Sequence, residues 1–386
     1  MRDSTGQKPF TWRQLLRVHG PAFFTWLQES EWERNALKRL AMQLSDFLID
    51  SIECMRSEVS KAPLYFWSRI PDVRSACSDA GTFEKPLAVE AYAYVHLLER
   101  YRRTFSALKH LTKVAVLPLG SQGVRVLDVG TGPAPALYAV DDFYRALNKF
   151  AELSNIPALR LPRPELNCIE RSKHMVWFFH RFSEFCGRNG PFGPVFSEFD
   201  GLSLQEKRAC HQSQNEVVIW WDPETQSYEE IFDPAGAAEI ANCLFRYRLV
   251  IFSNFLTLEA EVDDFEPEMR ALFQDLRPGA VVIVLGATGD AYQRIYARIA
   301  ALARNAGLRE AMWHTDSLGR IDPTDEAAQW IKESQYRVYQ YLESLVGTDA
   351  LDRSKRWPDY WNPTPSHRAR PRFALRIFRR GRWPRQ

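Results

Sequence analysis

The sequence predicts an α/β protein: a mostly parallel sheet with helices on its faces, preceded by a helical region and interrupted by two insertions. Three observations carry this. Short runs rich in valine and isoleucine alternate with helix-period segments of ten or more residues between 123 and 306. Residues 1–112 place apolar side chains at i, i+3, i+4 spacing and hold no β-rich run. One strand-like run stops at a closely spaced glycine pair where a helical pattern opens.

Helical periodicity covers Leu15 to His19, Trp32 to Met55 and Ala88 to Leu111. Pro63, Pro71 and SDAGTFEKP (78–86) break the pattern between the second and third, so loop is expected there. VRVLDVGTG (124–132) reads as the first strand and its turn, with a helix opening at Pro133–Ala136, where proline is tolerated. ELNCIE (165–170) is the second strand, followed by a helix over 171–185. VFSEFD (195–200) is the third. YRLVIFSNF (247–255) is the fourth, with a helix over 266–276, and AVVIVLG (280–286) the fifth, with a helix over 291–306. EVVIWW (216–221) and YEEIFD (228–233) flank DPETQS, so a β-hairpin insertion is expected at about 212–235. A second insertion, 326–346, reads as a helix carrying Tyr336, Tyr339 and Tyr341. RFALRIFRR (372–380) suits a closing strand with arginines on its solvent edge. The expected organisation is a helical N-terminal domain (1–112), an α/β core (113–315), a helical insertion and polar linker (316–370), and a closing strand with a basic tail (371–386).

Composition narrows the function classes. With 386 residues, 45% apolar and 25% charged, the chain is ordinary globular protein, not a collagen-like, low-complexity or disulfide scaffold. No run reaches the ~18 apolar residues of a membrane helix, so no membrane partner is expected. The first twenty residues mix charge and polarity, so no secretory signal is expected. Six cysteines lie far apart without CxxC pairs, and the eight histidines show no pair at metal spacing. A reduced, cytoplasmic chain without a metal centre is therefore expected. The net charge of +2 is unevenly spread: from Arg353 to Gln386 there are eleven Lys or Arg and one acid, Asp359. Such asymmetry points to an anionic partner.

The strongest local signal is LDVGTGPAP (127–135). Gly130 and Gly132 let the backbone approach a ligand, and the helix that follows aims free N–H groups at the same place. A packing turn in any α/β protein is the competing reading. A dinucleotide fingerprint needs glycine where this chain has Pro135, and no GKS or GKT follows for phosphate cradling.

The remaining pattern, Asp128-Val129-Gly130-Thr131-Gly132, resembles the first motif of class I S-adenosylmethionine-dependent methyltransferases, departing mildly at Ala134, where the family usually carries a third small residue. The resemblance covers roughly 88–315 plus the last strand. It implies a Rossmann-like sandwich of seven strands, the last antiparallel, with S-adenosylmethionine as cofactor. It also implies roles. Asp128, Gly130, Gly132 and Pro133 form the cofactor turn, and Glu170 ends strand two and grips both ribose hydroxyls. Asp200 follows strand three and faces the adenine amino group. Ser253 and Asn254 line the mouth, although both also suit capping of the next helix. Glu170 lies 42 residues beyond Asp128, against a usual gap of about twenty; a long first helix and the loop SNIPALRLPRPE absorb the excess. More narrowly, AYVHLLERYRRTFSAL, LDVGTGPAPALYAV and CIERSKHM are similar to methyltransferase-like proteins that assist assembly of the mitochondrial ribosomal small subunit.

No catalytic base declares itself. Ser253-Asn254-Phe255-Leu256 lacks the prolines of the loop used for exocyclic-nitrogen methylation of bases, so that chemistry is discounted. Arg100, Arg102 and Arg103 read as a solvated helix face, with reach to the cofactor as the alternative. The tail interleaves its arginines with Trp357, Tyr360, Trp361 and Trp383, a pattern that neutralises phosphates and stacks on unpaired bases. A charged edge strand with a solubilising end is the other reading. The expectation is a methyltransferase acting on RNA or a ribonucleoprotein. A small-molecule methyltransferase lidded by the N-terminal helices, or a non-catalytic cofactor-binding assembly factor, stands beside it.

Overall fold

Side-chain alternation along the strands decides where the sheet sits. In a strand, successive residues face opposite sides, and here both sides are apolar. Val126, Cys168, Ile251, Ile283, Leu285 and Ile377 belong to one buried cluster, while Leu127, Val129, Ile169, Val250, Phe252 and Phe378 belong to another. Such runs suit only a sheet covered on both faces. The computed structural model describes residues 12–75, 80–120, 123–170, 172–188, 192–196, 217–222, 227–232, 247–253, 256, 258–276, 279–287, 290–314, 326–352 and 373–381.

The strands are β1 (Arg125–Val129), β2 (Glu165–Ile169), β3 (Phe192–Phe196), β4 (Val217–Asp222), β5 (Ser227–Phe232), β6 (Leu249–Ser253), β7 (Val281–Gly286), β8 (Leu308–His314) and β9 (Ala374–Arg380). Seven form one sheet in the order β3-β2-β1-β6-β7-β9-β8. The first five in that order run parallel, and β9 inserts antiparallel between β7 and β8. This is the Rossmann-like sandwich with an antiparallel last strand that the resemblance implies. The separate β4–β5 pair is the expected hairpin, in antiparallel register from Val217↔Phe232 to Asp222↔Ser227.

Helices α1 (Trp12–Glu29), α2 (Trp32–Glu58), α3 (Ala62–Ser75) and α4 (Ala88–Lys113) precede the sheet. With α5 (Pro135–Leu153) and α6 (Lys173–Phe185) they cover one face: Leu16, Leu40, Leu98, Phe143 and Phe178 share a cluster with Ile251 and Ile377. The other face is covered by α7 (Glu261–Asp264), α8 (Glu266–Asp275) and α9 (Asp290–Asn305), through Val262, Leu272, Phe273 and Ile299. The second insertion, α10 (Glu326–Val346) followed by α11 (Thr348–Asp352), returns to the N-terminal helices. Ser334 donates to the Ala41 carbonyl at 2.7 Å, Gln335 to that of Tyr94 at 3.0 Å, and Trp67 to that of Leu351 at 3.1 Å. No helix among the described residues is long and apolar enough to cross a membrane.

Several expectations are corrected. The segment broken by prolines is helix α3. Pro63 sits in its first turn, where the missing N–H costs nothing. Pro71, inside the helix, costs about 3 kcal/mol, and burial of Phe66, Trp67, Ile70 and Val73 offsets it at about 2 kcal/mol each. The third strand begins at Phe192, three residues before the expected start, and runs to Phe196; residues 197–200 lie outside the described residues. The closing strand is not an edge: β9 is interior, with Leu375, Ile377 and Phe378 fully buried. Its arginines serve the fold. Arg376 donates to Glu310 at 2.7 Å and to the Tyr296 carbonyl at 2.8 Å, and Arg380 donates to the carbonyls of Ala306 and Gln274. The edge strand on this side of the sheet is β8, which the hydropathy pattern does not pick out.

Candidate functional site

The strand order reverses between β1 and β6, whose neighbours run outward in opposite directions. In open α/β sheets, ligands bind beyond the carboxyl ends of the strands at such a switch point. The glycine turn stands there.

Valine and leucine carry β1 to Val129, and the chain then turns through positive φ at Gly130 (68°), Gly132 (56°) and Ala134 (61°) before α5 begins at Pro135. Gly130 and Thr131 both donate backbone N–H groups to the Ile169 carbonyl, at 2.8 and 3.1 Å, which pins the turn to the end of β2. Ala134 is the helix N-cap residue and offers no side-chain cap. The first turn of α5 therefore presents its positive end to this crevice without a competing side chain.

Two carboxylates meet the turn. Glu170, next after β2, accepts the Gly132 N–H at 2.7 Å and the Ser172 N–H at 2.9 Å. A carboxylate has about four acceptor positions, so these bonds orient it without exhausting it. Asp128 is 1% exposed; one oxygen accepts the Thr131 hydroxyl, and the other has no hydrogen-bond partner among the described residues. Burial pushes the Asp128 carboxyl up to about 7; the Thr131 bond opposes the rise, the Glu170 charge adds to it and Arg100 reduces it. Ser253 ends β6 with its hydroxyl buried and likewise without a partner among the described residues.

Helix α4 covers the turn. A Cβ added to Gly132 would lie 3.7 Å from the Tyr92 ring. Arg100 donates to the Tyr92 hydroxyl and lies 5.0 Å from its ring centre, while the His96 ring sits 4.8 Å from the same ring. Arg100 and Arg102 are 9% and 8% exposed, and Arg103 is paired with Glu99, so the expected solvated face is a buried one. Gly130 and Glu170 are the partly exposed members, so the opening lies between them.

The structure thus brings Asp128, Gly130, Gly132, Pro133 and Glu170 together at the adjoining ends of β1 and β2, with Ser253 ending β6 on the other side of β1. Asp200 and Asn254 lie outside the described residues. Sequence reasoning missed Thr131 and Tyr92. The only signal for Tyr92 is its spacing from Arg100: eight residues, about two helical turns, on one face. Among the described residues, no group of His, Cys, Asp or Glu could hold a metal ion.

No family model matches the chain, and no curated protein sequence does. Among solved structures, the chain is similar to phosphoethanolamine N-methyltransferase 2 of Haemonchus contortus, with 12% identity, 81% of this chain and 61% of that chain covered, and a TM-score of 0.36. It is similar to the CcbJ methyltransferase of Streptomyces caelestis, with 13% identity, 73% and 96% coverage and a TM-score of 0.31. A methyltransferase from Aquifex aeolicus gives 12% identity, 61% and 91% coverage and a TM-score of 0.31. The functional reading below rests on strand order and on the turn.

Proposed function

We propose that this chain is an S-adenosylmethionine-dependent methyltransferase whose acceptor is RNA or a ribonucleoprotein. One observation carries the cofactor assignment. At the switch point, a left-handed glycine pair, a buried carboxylate with one oxygen unpartnered among the described residues and a second carboxylate 2.7 Å from a glycine amide meet at the adjoining ends of β1 and β2.

These residues fit the cofactor. Glu170 is a fixed acceptor suited to a pair of ribose hydroxyls. Gly130 and Gly132 allow close backbone approach, and the α5 terminus favours a carboxylate. The buried charge of Asp128 favours a cationic nucleoside over a neutral one. S-adenosylmethionine, when bound, supplies a methyl group on a positively charged sulfur. The chain's own contribution is positioning and exclusion of water, and positioning alone accounts for large accelerations when the reacting atoms are held in line.

The basic tail and the narrower resemblance to ribosomal assembly proteins support the RNA acceptor. Eight of the eleven tail cations lie outside the described residues, and the other three sit on β9. A second reading has its own observation: the Tyr92 ring, held by Arg100, covers Gly132, as a lid over a small-molecule acceptor would. Transfer of radiolabelled methyl from the cofactor into total RNA, set against transfer into a metabolite extract, separates the two. Label in RNA is expected. Label confined to metabolites refutes the RNA acceptor, and cofactor binding without any incorporation refutes turnover.

A further inference from the structure

A second cleft lies toward the opposite end of the strands, where the chain enters β2. The C-terminal half of α5, the loop before β2, the end of α6 and the start of α2 enclose about 670 Å³, within the range of ligand sites. Along α5, at 1.5 Å per residue, it is about 20 Å from the glycine turn. No small acceptor at that turn reaches it.

The lining is basic: Arg39, Arg145, Lys149, Arg163 and Arg188 stand with Trp32, and the one acid in the lining, Glu152, accepts from Lys149 at 3.0 Å on the exposed rim. Two aspartates of α5, both 0% exposed, organise the guanidinium groups. Arg163 forms a two-bond fork on Asp141 at 2.9 and 3.0 Å, with Arg145 and Arg188 each 3.8 Å from the same carboxylate. Arg188 also donates to Asp142 at 3.2 Å, and Trp32 is fixed by its indole N–H on the Asp142 carbonyl at 3.2 Å. These five cations meet three acids, Asp141, Asp142 and Glu152, so the cleft keeps an excess of positive charge. Arg188, 5% exposed, ties both aspartates together, its Nη1 lying 3.2 Å from Asp142 and 3.8 Å from Asp141. Arg39 is exposed and forms no ion pair among the described residues.

We propose that this cleft binds the phosphodiester backbone of a single-stranded nucleic acid, with a base against Trp32. The cations come from four separate chain segments, more than one phosphate can touch, so a repeating polyanion matches them better than one phosphate group. Guanidinium groups already fixed on buried carboxylates lose little freedom on binding. The site is separate from the cofactor turn, and its test needs no cofactor, so either assignment can fail alone.

The test is fluorescence anisotropy of the full chain with a labelled twelve-nucleotide oligouridylate across a salt series. Arg39→Gln with Lys149→Gln should weaken binding at least tenfold and reduce the slope of log affinity against log salt by about 1.4, at about 0.7 per lost phosphate contact. Arg39→Gln alone, on an exposed helix position, should give half that slope change. Arg39→Lys with Lys149→Arg should keep both affinity and slope. Unchanged affinity and slope in both glutamine variants overturns the proposal, because tail-driven binding would survive them. Uridine monophosphate competing as well as the oligonucleotide also overturns it, in favour of a free-nucleotide site.

Discussion

Asp128→Asn removes a charge that the folded chain works against. The carboxyl sits near 7 instead of its ordinary 3.8 because burial strips its water. A rise of about three pH units corresponds to about 4 kcal/mol. The folded state prefers the protonated form, so this contribution to stability is full below about pH 4 and is lost as pH climbs to 7. Asparagine keeps a carbonyl oxygen for the Thr131 hydroxyl and carries no charge at any pH. Urea unfolding of both proteins between pH 4 and pH 8 checks this. The variant's advantage should grow by about 1.4 kcal/mol per pH unit and level off above pH 7. A difference that does not change with pH would refute the reasoning.

Three other outcomes follow from the geometry. Ala134→Gly should stabilise the chain by about 0.5–1 kcal/mol in urea, since an L-residue at φ 61° costs about 1–2 kcal/mol and glycine returns part of that as chain entropy. Arg188→Met should destabilise by about 3 kcal/mol in the same assay, because it strips a cation from buried Asp141 and Asp142. S-adenosylmethionine affinity should rise with pH up to about 7, by as much as tenfold per unit, because a cationic ligand favours ionised Asp128. The demethylated product lacks the positive sulfur, so its calorimetric affinity should vary less with pH.

Most of the sheet was legible because its strands are short β-branched runs buried on both faces, as VRVLDV and VVIVLG show. The helix 326–346 was legible to its ends from periodicity alone. Elements that break the pattern were not. Strand β8 mixes Arg309 and Glu310 into its run because an edge strand needs only one apolar side. Gly193 and Pro194 disguised the start of β3 as a turn, and Pro71 disguised α3. At the candidate site, Asp128 and the glycines were legible from their close spacing, and Glu170 from its place at the end of the second strand in spite of its unusual distance along the chain. The cover from Tyr92 and Arg100 depends on how α4 docks, and an arginine on a helix reads as solvated until its neighbours are known. The basic cleft was illegible for the same reason: its cations converge only through two buried aspartates on α5.

The most direct test of the cofactor assignment is isothermal titration of the full chain with S-adenosylmethionine, wild type beside Glu170→Ala. One saturable site in the wild type, lost in the variant while its thermal unfolding stays cooperative, is the predicted result. No binding by the wild type, or equal affinity in both proteins, would contradict it.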